Sequence, residues 1–305
     1  MPDRSDVMYL YDGSLEGLLC CVFESFRRRE LPFCVQSADA PQLSLCPVRA
    51  IETDLSHAAR VRRGLRRTAS DGAWELFELG YYTCHPQREL LALDFVHLAM
   101  RHGPAVLSML ADDTVAALTK ATRQLCHEAH QYQGFVRFSD SGGVLTAVIE
   151  PKNFVLPLLA PHFCDRYQND TFAIYDKTHG MLLAYARGQH AILPVEGFDA
   201  PAADEEELRW RALWKSFYNA IAIDERYNPT CRRSLMQKRY WRHLTELDPQ
   251  VPTRRASIEE RLRAGERVAV PDRLRGYSPE QLRQALAGDP LRALYEPKGE
   301  KDEPQ

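Results

Sequence analysis

Apolar positions recur at helical spacing through most of the first 132 residues. Between residues 15 and 26, leucine, valine and phenylalanine recur three or four positions apart, which gives a helix one apolar face. The same spacing predicts further helices over 56–67, 75–82, 87–101 and 114–132. Two short runs, 8–11 and 48–53, favour strands, and three prolines between 32 and 47 favour a loop. The N-terminal half is therefore predicted to be mainly helical.

The pattern changes between residues 130 and 185. Two β-prone runs, 135–138 and 144–149, are joined across Ser-Asp-Ser-Gly-Gly, and two more, 172–175 and 181–185, across Asp-Lys-Thr-His-Gly. An apolar run with helical spacing, 153–167, lies between the two pairs. This order predicts a hairpin-helix-hairpin module that forms an antiparallel sheet.

The whole pattern predicts an α+β fold with one domain over 1–247. Its helical part covers about 1–132, its sheet module about 133–200 and its C-terminal helices about 204–247. An acidic patch at 204–207 suits a helix start, because the positive end of the helix dipole lies there. Prolines then become frequent, and a capping box at 257–260 begins one of the short helices expected in a flexible, charged tail, 248–305.

Composition limits the classes of function. The 305 residues carry a net charge of -3, with 45% hydrophobic and 27% charged residues, so binding of a polyanion by the bulk charge of the protein is excluded. Any contact with nucleic acid must come from local patches. Only seven of the 39 basic residues are lysine, and arginine suits bidentate phosphate contacts, although a GC-rich genome also produces this bias.

Targeting signals and cysteine pairs are both missing from the sequence. The first residues lack the basic start and apolar core of a signal peptide, and no apolar run approaches the 18 residues of a membrane span. The eight cysteines form no CxxC pair. We therefore expect a cytoplasmic protein without membrane contact, in a reducing compartment and with mostly buried thiols.

One candidate site combines a helix end with a hairpin turn. His162 and Arg166 are four residues apart and share a face of the central helix. If the second hairpin folds back over that helix, Asp176 would orient His162 or pair with Arg166. Such a cluster forms an acid–base or DNA-backbone site, or else an ion pair that only fixes the hairpin to the helix.

Metal ligands are fewer than a site needs. Cys126, His127 and His130 share one segment, but a zinc site takes three or four ligands in a suitable arrangement. Cys84 and His85 match no standard spacing. No metal and no cofactor is predicted.

Two basic segments are candidates for phosphate contact. Five arginines lie between 60 and 67, and the segment 226–242 has six arginines or lysines and no acidic residue, with aromatic residues among them. Single-strand binders combine these two features. The alternative is a solvated helix face with Tyr240 and Trp241 in the core. The residues predicted to bind DNA are Arg137, Arg166, Arg226, Arg232, Arg233, Lys238, Arg239, Tyr240 and Trp241.

Five ordered motifs carry a family resemblance. They are Tyr-Asp-Gly-Ser-Leu-Glu-Gly at 11–17, the run 130–138, Pro-His-Phe-Cys-Asp-Arg-Tyr at 161–167, Ile-Tyr-Asp at 174–176 and Ala-Ile-Asp-Glu-Arg-Tyr-Asn-Pro at 222–229. Over roughly residues 7–247 the chain resembles the bacterial DNA metabolism proteins that carry domain of unknown function 4130. These proteins are encoded beside a DNA-repair radical SAM protein. Some are fused to a uracil-DNA glycosylase-like domain, of which no motif appears after residue 247.

The resemblance implies a stand-alone accessory protein, since the family has no established activity to transfer. The leading hypothesis is a factor in DNA repair or modification that binds single-stranded or damaged DNA and works with a radical SAM enzyme. One alternative is an enzyme that processes a damaged base or nucleotide, with His162 as general acid or base and Asp176 as its orienting partner. Another is a protein-interaction scaffold. A concave pocket around His162 and Asp176 would favour the enzyme, and a continuous basic groove would favour DNA binding. An exposed apolar patch would favour the scaffold.

Overall fold

A computed structural model describes residues 4–38, 46–198, 203–223 and 226–251. The predicted tail helices, including the capping box at 257–260, lie outside these ranges. The chain divides into two units. Among the described residues, the first unit contains those from Arg4 to Leu208 together with Lys238–Leu244, and the second contains those within Arg209–Gln237 and Thr245–Val251.

The N-terminal residues form a small parallel sheet with one crossover helix. Its elements are β1 (Arg4–Tyr11), α1 (Leu15–Arg28), β2 (Leu31–Ser37) and β3 (Val48–Ala50). The strand order is β2-β1-β3, and β1 pairs in parallel with both neighbours. β2 occupies part of the segment predicted to be a loop. Pro32 is tolerated there because β2 is an edge strand, where a missing backbone donor costs little.

Four longer helices follow, and all four were predicted to within a few residues. They are α2 (Leu55–Thr68), α3 (Asp71–Tyr81), α4 (Arg88–His102) and α5 (Asp113–Phe135). Asp54, Ser70 and Asp112 cap α2, α3 and α5 by accepting backbone N–H groups of the first turn. These helices and the parallel sheet share one apolar core that includes Tyr9 and Phe95.

The central module forms a five-stranded sheet with one covering helix. Its elements are β4 (Ser139–Ser141), β5 (Val144–Ile149), α6 (Leu156–Arg166), β6 (Thr171–Asp176), β7 (Met181–Ala186) and β8 (Gln189–Pro194). The strand order follows the chain from β4 to β8. β5 and β6 pair in parallel, whereas the other neighbours are antiparallel. The sheet is thus mixed and not wholly antiparallel as predicted, because α6 returns the chain to the end of the sheet at which β5 begins.

The predicted hairpin-helix-hairpin order is present, with one shift. The first strand lies at Ser139–Ser141 instead of 135–138, because α5 continues to Phe135. Leu159 and Phe163 on α6 and Ile174 on β6 are buried in a second apolar core. The α+β class and the helical N-terminal half are confirmed.

The C-terminal described residues are helical. α7 (Glu205–Ile221) begins with three glutamates, as its dipole favours, and α8 (Pro229–Leu235) follows. Two short 3₁₀ helices, Lys238–His243 and Thr245–Leu247, come next. Within the described ranges, every helix is too short or too polar to span a lipid bilayer.

All eight cysteines are free thiols. Cys20 and Cys21 are buried, whereas Cys84, Cys126 and Cys231 are exposed. The expectation of mostly buried thiols is therefore wrong.

Candidate nucleic-acid interface

The structure gives Asp176 a different partner from the predicted one. Asp176 is fully buried at the end of β6 and accepts hydrogen bonds from the backbone N–H groups of Thr178 and His179. Its other carboxylate oxygen lies 2.6 Å from His179 Nδ1. Within the described ranges, no hydrogen bond or ion pair joins Asp176 to His162 or Arg166. The prediction that Asp176 orients His162 is wrong, since the turn after β6 places His179 closer.

His162 and Arg166 instead contact their own helix neighbours. The ring of His162 packs edge-on against Phe163 at 4.9 Å, and the Arg166 guanidinium lies 5.9 Å from the ring of Tyr167. Arg166 is exposed and His162 is half-buried. The sequence spacing correctly placed His162 and Arg166 on one helix. It could not show that Asp176 would bond within its own turn, to Thr178 and His179. An aspartate three residues before a histidine in a turn is the signal for this bonding.

A buried carboxylate organises the junction between α5 and the residues after β5. Glu128 accepts the backbone N–H groups of Lys152 and Asn153 at 3.0 and 2.9 Å and the side-chain amide of Asn153 at 2.6 Å. Arg239 supplies the positive charge, with 2.9 Å between its guanidinium and the Glu128 carboxylate. Arg239 is therefore committed to an internal ion pair, which argues against its predicted contact with DNA.

Tyr240 is also part of the core. Its side chain is 3% exposed and packs against Tyr132 and Phe135 at 5.0 and 5.1 Å. Burial raises the pKa of its hydroxyl, which accepts a hydrogen bond from Arg239. The predicted base stacking on Tyr240 is wrong, because no face of this ring is open to a ligand.

The other predicted DNA contacts are spread over both units. Arg226, Arg233 and Lys238 are exposed, whereas Arg137, Arg232 and Trp241 are half-buried. Arg233 donates to the carbonyl of Pro229, and Arg137 donates to the carbonyls of Gly134 and Val136.

A concave, arginine-rich surface lies between α1, α2 and α4. Its volume is about 1290 Å³. We call it the arginine groove, after the five arginines that line it: Arg27, Arg60, Arg63, Arg66 and Arg67. Its apolar lining consists of Phe23, Phe26, Val61, Val96 and Met100.

The positive charge of the groove is only partly neutralised. Arg27 pairs with Glu24 at 2.7 Å and Arg66 pairs with Asp71 at 2.5 Å, and both arginines are largely exposed. Arg63 and Arg67 are exposed and form no ion pair with any residue that the structure describes. These two lie four residues apart on α2, so both project from one face of the helix.

An exposed aromatic ring in the arginine groove offers a surface for stacking. Phe26 is 40% exposed, and its ring stacks on His97 with 4.0 Å between centroids and 11° between planes. His97 Nε2 makes a hydrogen bond with the buried Ser25 hydroxyl, and burial lowers the pKa of His97 to about 4. The neutral imidazole and its hydrogen bond hold the Phe26 ring in place.

Phe23, one turn earlier, is half-buried and already has two side chains against its ring. His57 stacks on it at 3.9 Å and 11°, and the Arg60 guanidinium lies 5.9 Å from its centroid. The arginines of α2 were recognised in the sequence, but the contribution of α1 was missed. Phe26 directly before three arginines was the available signal.

Metal binding finds no support in the described ranges. They contain no group of three or more histidine, cysteine, aspartate or glutamate side chains placed to hold a metal ion. His127 Nε2 lies 3.1 Å from the Gln131 side-chain amide, and Cys126 is exposed.

Helix α7 carries an exposed apolar face. Trp210 is 60% exposed and Phe217 50% exposed, and both lie on the stripe Trp210, Leu213, Trp214, Phe217 and Ile221. This face is the feature on which the scaffold hypothesis depends.

The fold defines an α+β protein, and the arginine groove is the concave surface with the most positive charge described above. The chain belongs to the family described as domain of unknown function (DUF4130), whose model matches residues 86–246, more than half of its length. No curated protein and no solved structure matches the chain. The matched range contains α4 but not α1 or α2, so the groove arginines lie before it.

Proposed function

We propose that the protein binds DNA through the arginine groove and acts as an accessory factor in DNA repair or modification. The observation that carries the proposal is the convergence of five arginines on one concave surface that also exposes Phe26. Because the net charge of the chain is -3, such a local concentration of positive charge has to be built by the fold.

The groove arginines are expected to bind phosphate groups more strongly than they bind the carboxylates with which they now pair. Exposed ion pairs such as Arg27–Glu24 and Arg66–Asp71 are worth about 1 kcal/mol or less. Bidentate contacts with phosphate are stronger and release counterions from the nucleic acid. Phosphates of a bound strand would therefore displace these carboxylates, and Arg63 and Arg67 need no displacement of a described partner.

The biological setting in this proposal comes from the family resemblance. That resemblance supplies three parts of the proposal: DNA repair as the process, a radical SAM enzyme as the partner and the cytoplasm as the location. Arg226, Arg232 and Arg233, with Lys238, are exposed or half-buried cations that remain candidates for further contacts with the DNA or the partner.

The test is fluorescence anisotropy with labelled single-stranded DNA at several salt concentrations. The variant Arg63→Ala/Arg67→Ala is expected to bind at least tenfold more weakly, and the magnitude of its salt slope should fall by about 1.4, at roughly 0.7 for each lost phosphate contact. The matched control is Lys120→Ala/Arg123→Ala, which removes two exposed charges from α5. Equal affinity and slope in the groove variant and the wild type would contradict the proposal.

A second candidate function is an enzyme that processes a damaged base or nucleotide. The pair of Asp176 and His179 favours it, because a buried carboxylate that orients an imidazole is the usual support for a general base. The His179 side chain is 26% exposed, so a substrate can reach it. In this hypothesis the acid–base role moves from His162 to His179.

Turnover of oligonucleotides that contain uracil or an abasic site tests the enzymatic hypothesis. His179→Gln is expected to abolish turnover, whereas His162→Gln should retain it. Absence of turnover by the wild-type protein on these substrates would remove this function.

A further inference from the structure

We propose that Phe26 is a stacking platform for an unpaired base, which makes the arginine groove selective for single-stranded nucleic acid. The inference rests on the proposed function, because the arginines must first bring a phosphate backbone into the groove. It adds the class of ligand and the residue that selects it.

Phe26 is held in place before any ligand arrives. One face of its ring lies on His97, 4.0 Å away and nearly parallel, and His97 is anchored by its hydrogen bond to Ser25. The ring nevertheless remains 40% exposed. Since His97 covers one face, the exposed area belongs to the opposite face and the edge. A fixed ring loses little conformational entropy when a second ring stacks on it.

Neighbouring rings in the groove do not offer the same surface. Phe23 is half-buried, with His57 stacked on one ring face and the Arg60 guanidinium 5.9 Å from the ring centroid, so it presents less open ring surface than Phe26 does. Met100 is exposed in the groove but has no planar face. Phe26 is therefore the more exposed of the two rings that line the groove, and its open face accommodates one base.

The position of this face relative to the charges selects for a strand with free bases. Arg27 follows Phe26 on α1, and Arg63 and Arg67 line the same groove from α2. A single strand can place phosphates against the arginines and turn one base onto the ring. Bases of a duplex are already stacked between their neighbours, so a duplex would use only the charges. An acidic peptide would likewise gain nothing from the ring.

The decisive variant is Phe26→Leu, which keeps an apolar side chain over His97 but removes the aromatic face. It is compared with Phe217→Leu, which removes an exposed ring from α7 outside the groove, and with Phe26→Trp, which restores a stacking face. Anisotropy is measured with single-stranded oligo-dT, with an oligomer of abasic nucleotides and with a duplex of equal length.

Phe26→Leu is expected to bind oligo-dT about tenfold more weakly and to bind the abasic oligomer and the duplex as the wild type does. Phe217→Leu and Phe26→Trp should both retain the affinity for oligo-dT. Because Phe26→Trp replaces the same side chain, its retained binding separates loss of stacking from a disturbance of the helix.

Two outcomes would overturn the inference and are distinguishable from failure of the proposed function. If Phe26→Leu binds oligo-dT as tightly as the wild type while Arg63→Ala/Arg67→Ala binds weakly, the groove binds DNA without stacking. If poly-glutamate displaces oligo-dT at equal charge concentration, the groove recognises an acidic chain and not a base. Unchanged binding by the arginine variant would instead refute the proposed function itself.

Discussion

Burial of the paired carboxylate distinguishes arginines that stabilise the fold from arginines that are available to bind a ligand. Arg239 and Arg242 are three residues apart in a segment that reads uniformly as basic and aromatic. Arg239 is 29% exposed and neutralises Glu128, which is 3% exposed, whereas Arg242 is 67% exposed beside the half-exposed Glu150. Sequence composition cannot separate these two roles, because the distinction depends on a helix more than 100 residues earlier.

Arg239→Ala is expected to lower the free energy of unfolding by about 2–3 kcal/mol. The substitution leaves the buried Glu128 carboxylate without its positive partner, which costs more than the pair itself contributes. Arg242→Ala should change the free energy of unfolding by less than about 1 kcal/mol, since its pair is exposed. Urea unfolding of both variants measures the difference, and equal effects would contradict this assignment.

His97 should make stability depend on pH. Burial lowers its folded-state pKa to about 4, below its usual value near 6.5, so the unfolded chain binds more protons between these pH values. The stabilising contribution is therefore present above pH 6.5 and is lost as the pH falls toward 4. The groups that face the ring are the Ser25 hydroxyl and the Phe26 ring, and neither titrates in this range.

The measurement compares the wild type with His97→Gln at pH 7 and pH 5. The wild type should lose on the order of 1 kcal/mol more unfolding free energy between the two pH values than the variant does. Carboxylates elsewhere contribute equally to both proteins and cancel in this difference. Identical losses would show that His97 titrates normally in the folded state.

At the scale of elements, close packing at the start of α1 explains the glycine in the Tyr-Asp-Gly-Ser-Leu-Glu-Gly motif. A methyl group at Gly17 would overlap the Asp12 carboxylate and would lie 2.8 Å from the Tyr11 ring and 2.9 Å from Thr53 Oγ1. Asp12 and Thr53 are hydrogen-bonded at 2.8 Å, so the neighbours cannot move apart freely. The glycine lets the helix approach the end of β1.

Gly17→Ala is therefore expected to destabilise the protein by about 1–2 kcal/mol, although alanine is the better helix former. Gly134→Ala is the matched control within another helix. Its added methyl group would meet no atom within 4 Å, so a gain of about 0.5 kcal/mol is expected. Thermal unfolding gives both values, and a stabilising Gly17→Ala would mean that the motif is not tightly packed.

The helices were predictable because their signals are local. Apolar spacing and the capping residues before α2, α3 and α5 lie within the segments that they define. Strand pairing is not local in this sense. Alternation in β5 and β6 indicates strands but not their parallel direction, and the prolines around β2 concealed an edge strand that only its pairing with β1 reveals.

At the scale of the whole molecule, the candidate site was predictable only in part. The arginines of α2 were evident in the sequence, but the groove also needs Phe26 from α1 and its support from His97 on α4. These helices are brought together by the shared core around β1. The predictions for Asp176 and Tyr240 were wrong for a similar reason, because a turn geometry sets the partner of Asp176 and packing against α5 buries Tyr240.

The family match and the groove divide the chain differently. The matched range, 86–246, includes the mixed sheet and the pair formed by Asp176 and His179, whereas the groove arginines precede it. DNA binding by the groove and any chemistry at His179 are therefore separable properties. Variants of α2 should alter the first without altering the second.

Photocross-linking shows which residues of the protein touch a bound strand. Single-stranded DNA that contains 5-iodouracil is bound to the full chain and irradiated, and the modified peptides are mapped by mass spectrometry. If DNA binds in the arginine groove, cross-links are expected at Phe26 in the α1 peptide and should be lost in Arg63→Ala/Arg67→Ala. Cross-links confined to residues 226–242, with none on α1, would contradict binding in the groove and would place the DNA on the C-terminal basic segment.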